Sequence, residues 1–271
     1  SKERPTPKKN HRLSLSMVIK NTPLVLFLAS YLFYGLGAGI LFGVLFVFVD
    51  GYLGLGEEFV ITSFIGAVVG VASVVVWRKL ANVWGKKVTW IASKILVIVA
   101  ALALSLLVPG ETNFWALLWP LILFYMGGAG VAVIVPSLLS DIVDYSRWKF
   151  NTETTGGYYA IYTMMNKCFL ALGGSVGLIV LGNYGFDPSA PVYTEDTIFA
   201  VSLSLKWLPI PMFLASAIFV ALIPINTYRH RVIQKRLDSR ALRTNIDEQP
   251  QGLDIDEKIA ASKKTLLGTQ M

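Results

Sequence analysis

Long apolar blocks separated by short polar connections set the pattern of this chain, with no sustained two-residue alternation. Six blocks run from Pro23 to Val49, Phe59 to Trp77, Val88 to Val108, Phe114 to Leu139, Tyr158 to Leu181 and Ile198 to Ile223. Each supplies about 20 or more residues, enough at ~1.5 Å per residue to cross a ~30 Å hydrocarbon layer. Lipid leaves open backbone groups unsatisfied, so the blocks predict helices. The expected fold is an all-α membrane protein with six transmembrane helices.

The polar connections alternate in charge. Basic residues gather in the amino-terminal arm (Lys2, Arg4, Lys8, Lys9, Arg12), after the second block (Arg78, Lys79, Lys86, Lys87), after the fourth (Arg147, Lys149) and at the start of the tail (Arg229, His230, Arg231, Lys235, Arg236). The other connections, DGYLGLGEE, PGETN and NYGFDPSAPVYTED, hold no Lys or Arg. Six crossings put all four basic segments on one side and both termini in the cytoplasm. The formal charge of +7 is then a topology signal with anionic lipid as its partner, and it calls for no nucleic acid.

Composition agrees: 54% of residues are hydrophobic and 15% charged, too few charges for a soluble domain of 271 residues. The segments divide into a cytoplasmic linker over 1–21, a six-helix domain over 22–227 and a cytoplasmic tail over 228–271, the tail opening as a short surface helix. The first segment is too charged for the apolar core of a signal peptide. Cys168 is the single cysteine, so no disulfide forms within the chain, and packing is its expected role. No HExxH, nucleotide-binding glycine loop or Cys/His metal cluster occurs, and the two histidines, His11 and His230, fall in polar segments. The chain reads as neither an enzyme nor a metal protein.

Glycines predict where helices meet. Gly35, Gly39 and Gly43 recur every four residues, as do Gly66 with Gly70 and Gly173 with Gly177, a spacing that admits close backbone approach. Gly127, Gly128, Gly130 and Pro136 predict a local bend in the fourth block.

Charges at membrane depth point to function, because an ammonium there is costly and usually faces a bundle interior or an aqueous cavity. Lys167 lies deepest, with Ala160, Thr163, Met164, Ala171 and Gly174 at three- and four-residue spacings leaving room beside it. It serves either as a donor to a substrate hydroxyl or a coupling carboxylate, or as a structural ammonium held by carbonyls. Lys94 and Lys206 fall nearer span ends, where snorkelling is the expected behaviour. No acid lies deep in a block, so any counter-charge comes from elsewhere. Trp119, Tyr125, Tyr158, Tyr159 and Tyr162 read mainly as interface anchors or packing; Tyr31 and Tyr162 are the ring candidates for a binding cavity.

SDIVDYSRWKFNTETTGGYYAIYTMMNKC, residues 140–168, resembles the cytoplasmic connection and following helix of the glycoside–pentoside–hexuronide:cation symporters, the melibiose-carrier family of the major facilitator superfamily. Asp141-Ile142-Val143-Asp144-Tyr145 matches a family signature, and Lys167 matches its functional lysine on helix eleven. LANVWGKK at 80–87, with Gly85, Lys86 and Lys87, resembles the basic turn between helices eight and nine; LGNYGF near 181 and IPIN near 223 fit positions around the final helix.

The resemblance implies helices seven to twelve of a twelve-helix carrier in a bacterial inner membrane. It further implies symport of a sugar, glycoside, pentose or hexuronide by alternating access. Its coupling cation, Na⁺ or H⁺ with Li⁺ as a third choice, is expected mainly in the amino-terminal half. The partner is that half, from the same precursor or a separate chain, or a second copy. Lys167, Tyr31, Tyr162 and Thr163 become the substrate or coupling residues, and Asp141, Asp144, Tyr145, Arg147 and Lys149 a cytoplasmic gate. Read without the family, Asp141 and Asp144 would cap helix ends or pair with Arg147 and Lys149. TETTGG at 152–157 departs from the family pattern and implies a different cytoplasmic ion-pair network, and Ala132, where melibiose carriers place a large aromatic, argues against melibiose itself. Two rival functions are carriage of an amphiphilic or lipid-like anion and a non-transporting assembly or sensing module.

Overall fold

The structure, a computed structural model, describes residues 15–150, 154–187, 194–224 and 232–239. The basic arm up to Arg12, both histidines, Ile225 and Asn226, and nearly all of the polar tail lie outside these residues. Six helical stretches are long and apolar enough to cross a membrane: Thr22–Tyr52, Gly56–Trp84, Lys86–Leu104, Phe114–Phe150, Thr155–Asn183 and Glu195–Leu222.

A short helix α1 (Leu15–Lys20) precedes α2 (Thr22–Val47). Asn21 starts α2 by accepting a hydrogen bond from the Leu24 amide, and Pro23 occupies the first turn, where no amide donor is needed. A π turn (Phe48–Tyr52) completes the first span. Then follow α3 (Gly56–Trp84), α4 (Lys86–Leu104), α5 (Phe114–Phe150) and α6 (Thr155–Asn183). The last span comprises α7 (Glu195–Ser202), a π turn (Leu203–Trp207) and α8 (Pro209–Leu222). Residues 232–239 form a further helical segment, whose Ile233 is buried.

Two boundaries differ from the sequence expectation. Arg78 and Lys79 lie within α3, and the turn after it contracts to Gly85, whose φ of 83° is a conformation that side-chain-bearing residues rarely adopt. Likewise α5 continues through Asp141, Asp144, Tyr145, Arg147 and Lys149 to Phe150, so these residues occupy its last turns and not a connecting loop. At 37 residues α5 is ~55 Å long, well beyond a ~30 Å hydrocarbon layer. Its end therefore stands clear of the apolar core, where charges are hydrated.

Helix α2 packs chiefly on α6 and α8, while α5 packs on α3 and α4. The α2–α6 contact is made of glycines. A Cβ on Gly39 would strike the Leu170 carbonyl, one on Gly173 the Leu36 carbonyl, and one on Gly43 would come within 2.6 Å of Gly174 Cα. Gly35 lies against Phe169, and Gly177 against Val44. On the other side, Gly66 and Gly70 admit Tyr125, and Gly127 and Gly130 admit Val97, Ser93 and Trp77.

Two apolar clusters stack along the bundle. One holds Trp90, Phe27, Tyr31, Tyr158 and Val220 toward the basic end; the other holds Val97, Ala38, Phe48, Leu104 and Phe213 toward the opposite end.

Candidate functional site

Lys167 lies on an exposed stripe of α6 with Ala160, Met164 and Ala171, opposite the glycine face that grips α2. Among the described residues it has no hydrogen-bond or ion-pair partner. Thr163 is exposed one turn away, its hydroxyl bonded to the Tyr159 carbonyl of its own helix. Cys168 is also exposed, contrary to the packing role expected for it. Placing glycines on one face of α6 forces the remaining small side chains and the lysine onto the other.

Tyr162 reaches across to α2, where its ring centroid lies 4.9 Å from that of Tyr31. Phe27 stacks 6.1 Å from Tyr31, lies 6.3 Å from Tyr162 and meets Trp90 of α4 at 5.6 Å. Tyr31 is 3% exposed, so it backs this aromatic wall while half-buried Tyr162 fronts it. Of the two ring candidates Tyr31 is covered by its neighbours, and Tyr162 is the more open.

Lys94 corrects the sequence expectation outright. Its side chain is 0% exposed and does not snorkel. It donates to Ser30 Oγ of α2 at 3.1 Å and Ser216 Oγ of α8 at 2.6 Å, with its nitrogen 4.0 Å from the Trp90 ring centroid. Eight residues beyond Lys86, it sits ~12 Å along α4, near the middle of that helix. Sequence distance from a span end misled because α4 already begins at Lys86 and its buried face, Trp90, Ser93, Lys94 and Val97, carries the lysine inward. The serines on α2 and α8 were the missed signal. Lys206, in contrast, stays partly exposed beside Trp207.

At the basic end the proposed gate residues and the α3–α4 turn meet. Lys86 Nζ lies 2.6 Å from Asp141 Oδ1 and donates to the Ser137 carbonyl at 3.0 Å. Asp141 thus pairs with Lys86 at the α3–α4 turn, a partner the sequence reading did not name. Arg147 and Lys149 follow it by six and eight residues on the same helix, whereas Lys86 approaches from α4. Arg147 donates to Thr155 Oγ1, and Lys149 to the Lys20 carbonyl that ends α1. Lys87 donates to the Ala221 and Ile223 carbonyls, satisfying the end of α8. Tyr145 packs on Trp148, whose ring also meets Arg236 of segment 232–239. Tyr158, expected as an anchor, is fully buried between Ser146 and Asn21, with its hydroxyl 2.6 Å from Ser146 Oγ and 3.4 Å from Asn21 Nδ2.

Among the described residues no group of three His, Cys, Asp or Glu side chains is placed to hold a metal ion.

A sequence profile described as "MFS/sugar transport protein" matches residues 1–227. Similar proteins include an uncharacterized symporter of Synechocystis sp. (28% identical over 240 residues, 86% of this chain and 43% of that protein). A lactose permease of Leuconostoc lactis is 27% identical over 263 residues, covering 93% of this chain and 40% of its own length. A sodium-dependent lysophosphatidylcholine symporter of Danio rerio is 23% identical over 234 residues, 82% and 42% respectively. The chain spans less than half the length of each of these three relatives.

Proposed function

The chain belongs to the MFS/sugar transport protein family, a family of transporters and not enzymes, and we propose that it is the carboxyl-terminal half of a cation-coupled symporter of sugar-like solutes. The observation that carries this reading is Lys167, without a partner among the described residues, on the open stripe of α6, the helix that also carries the half-buried ring of Tyr162. A hydroxyl-rich solute held between two six-helix halves would take hydrogen bonds from this ammonium and stacking from the ring. The opposite half supplies the carboxylates for Na⁺ or H⁺, and rocking about the glycine-packed helices exchanges access between the two sides. Asp141, Lys86 and their neighbours act as the cytoplasmic latch, with both termini in the cytoplasm and the protein in a bacterial inner membrane.

The test is uptake by the complete carrier in proteoliposomes, under imposed Na⁺ or H⁺ gradients, with lactose and methyl β-D-glucuronide as probes. Gradient-driven accumulation of either that is abolished by Lys167→Ala, with normal insertion of the variant, supports the reading; uptake indifferent to Lys167 sinks its central role. The likeness to the lysophosphatidylcholine symporter favours a second reading, in which Lys167 meets an anionic headgroup. Lysophosphatidylcholine uptake without uptake of either sugar would select it.

A further inference from the structure

We propose that Lys94 is a positioning residue for the solute site: it fixes the aromatic wall of Trp90, Phe27, Tyr31 and Tyr162 without touching solute itself. The inference rests on the reading of Lys167 and that wall as the solute-facing surface.

The lysine sits where a purely apolar core would be simpler. A buried polar residue interrupts the apolar core on each of three helices: Lys94 between Trp90 and Val97 on α4 and Ser216 between Phe213 and Val220 on α8, both where the two clusters meet, and Ser30 between Phe27 and Tyr31 on α2. All three side chains are 0% exposed. Burying such a cluster is tolerable only when its groups satisfy one another. Ser30 Oγ–H donates to the Ser216 carbonyl at 3.0 Å and Ser216 Oγ–H to the Ser30 carbonyl at 2.6 Å. This reciprocal pair uses both hydroxyl protons and leaves both oxygens as acceptors, which Lys94 fills. Amine or ammonium, the nitrogen has two N–H groups to give, so the clamp does not depend on its protonation state.

The serine pair alone would join α2 to α8, so Lys94 adds the third helix and with it the orientation of Trp90. Among the described residues the buried indole nitrogen of Trp90 has no hydrogen-bond partner, so none of them fixes the ring through that N–H. Lys94 Nζ lies over its face at 4.0 Å from the ring centroid, and the Phe27 ring meets it at 5.6 Å. Phe27, Ser30 and Tyr31 share one turn of α2: holding Ser30 from the α4–α8 side sets the rotation that presents Tyr31 to Tyr162. The contact path from Lys94 therefore ends at Tyr162, the half-buried ring of the wall, on the same helix as Lys167. An error of about 1 Å in such a wall is enough to weaken productive binding.

Lys94→Met retains an unbranched chain of similar reach and removes the donors, while the serine pair stays satisfied. In proteoliposomes containing the complete carrier, KM for lactose or methyl β-D-glucuronide is expected to rise about tenfold with Vmax within about twofold of wild type. Lys94→Gln, which keeps two N–H donors, is expected to recover part of that loss. Unchanged KM, or loss of Vmax at unchanged KM, overturns the proposal and leaves the transport reading standing. Wild-type carrier that takes up neither sugar removes the transport reading and this inference with it. If Lys94→Met fails to accumulate in the membrane, Ser216→Ala decides. It removes one acceptor from the clamp, and a raised KM supports the role while a wild-type KM refutes it.

Discussion

Asp141 is 6% exposed and Lys86 about one-third exposed, so their ion pair is shielded on one side only and worth more than a fully hydrated pair. Asp141→Asn is expected to lower stability by about 1 kcal/mol, since Lys86 can still turn toward water and retains the Ser137 carbonyl. The exchange Lys86→Asp with Asp141→Lys should recover much of the loss if charge pairing is the cause. Thermal unfolding in detergent measures both, and an exchange variant less stable than either single substitution would exclude that cause. The residues of this pair were legible in the sequence as two separate motifs, one on each side of α4 and α5. Their meeting was not, because near neighbours in sequence, Arg147 and Lys149, offered the same charge. Lys94 was misread for a related reason. Its partners are neutral serines on helices 64 and 122 residues away, and serine in an apolar block carries no charge pattern to reveal a partnership.

Glycine is the feature that turns these helices into a bundle, and its effect is readable because the spacing of four residues survives from sequence to contact. Gly39→Ala and Gly173→Ala each drive a Cβ into a backbone carbonyl of the facing helix, which cannot rotate away as a side chain would. Each should cost about 1–3 kcal/mol through separation of α2 from α6. Gly128→Ala and Gly182→Ala meet nothing within 4 Å and should be neutral within about 0.5 kcal/mol, an internal control for the loss of glycine itself. Thermal unfolding of the four variants checks the contrast; equal changes at all four would mean that contact with the facing helix does not set the effect, since helix propensity alone favours alanine. A separate constraint acts at Gly85, where Gly85→Ala should cost about 1–3 kcal/mol through its backbone conformation. The sequence marked this glycine as part of a basic turn, whereas helix continuity through Arg78 and Lys79 reduces the turn to that one residue. Apolar blocks locate spans well and their ends poorly, since helical hydrogen bonding continues past the point where hydropathy falls.

The two sides of the molecule are built to different rules. Helix α2 is wrapped by α6 and α8, while α3 and α6 leave long faces open, apolar on α3 at Phe64, Val68 and Val71 and mixed on α6 around Lys167. Lipid satisfies the first kind of face but not an ammonium without a partner. The α6 face therefore suits a polar counterpart, which under the proposed function is a second six-helix half. On that proposal the 271-residue chain expressed alone is expected to insert in membranes without accumulating lactose or methyl β-D-glucuronide, and coexpression with the proposed amino-terminal half to give uptake. Native mass measurement of the complex, with identification of its polypeptides, separates the arrangements. An accompanying amino-terminal half of similar size to this 29.8 kDa chain supports the two-domain symporter, and a complex of this chain alone that still accumulates sugar would require two copies to present their α6 faces to each other. In that case two Lys167 ammonium groups would face one cavity with no acid of their own helices beside them, and repulsion should make uptake depend on an anionic solute. Preference for methyl β-D-glucuronide over lactose, weakened by Lys167→Ala, would then mark the dimeric carrier, while a neutral sugar taken up equally well would count against it.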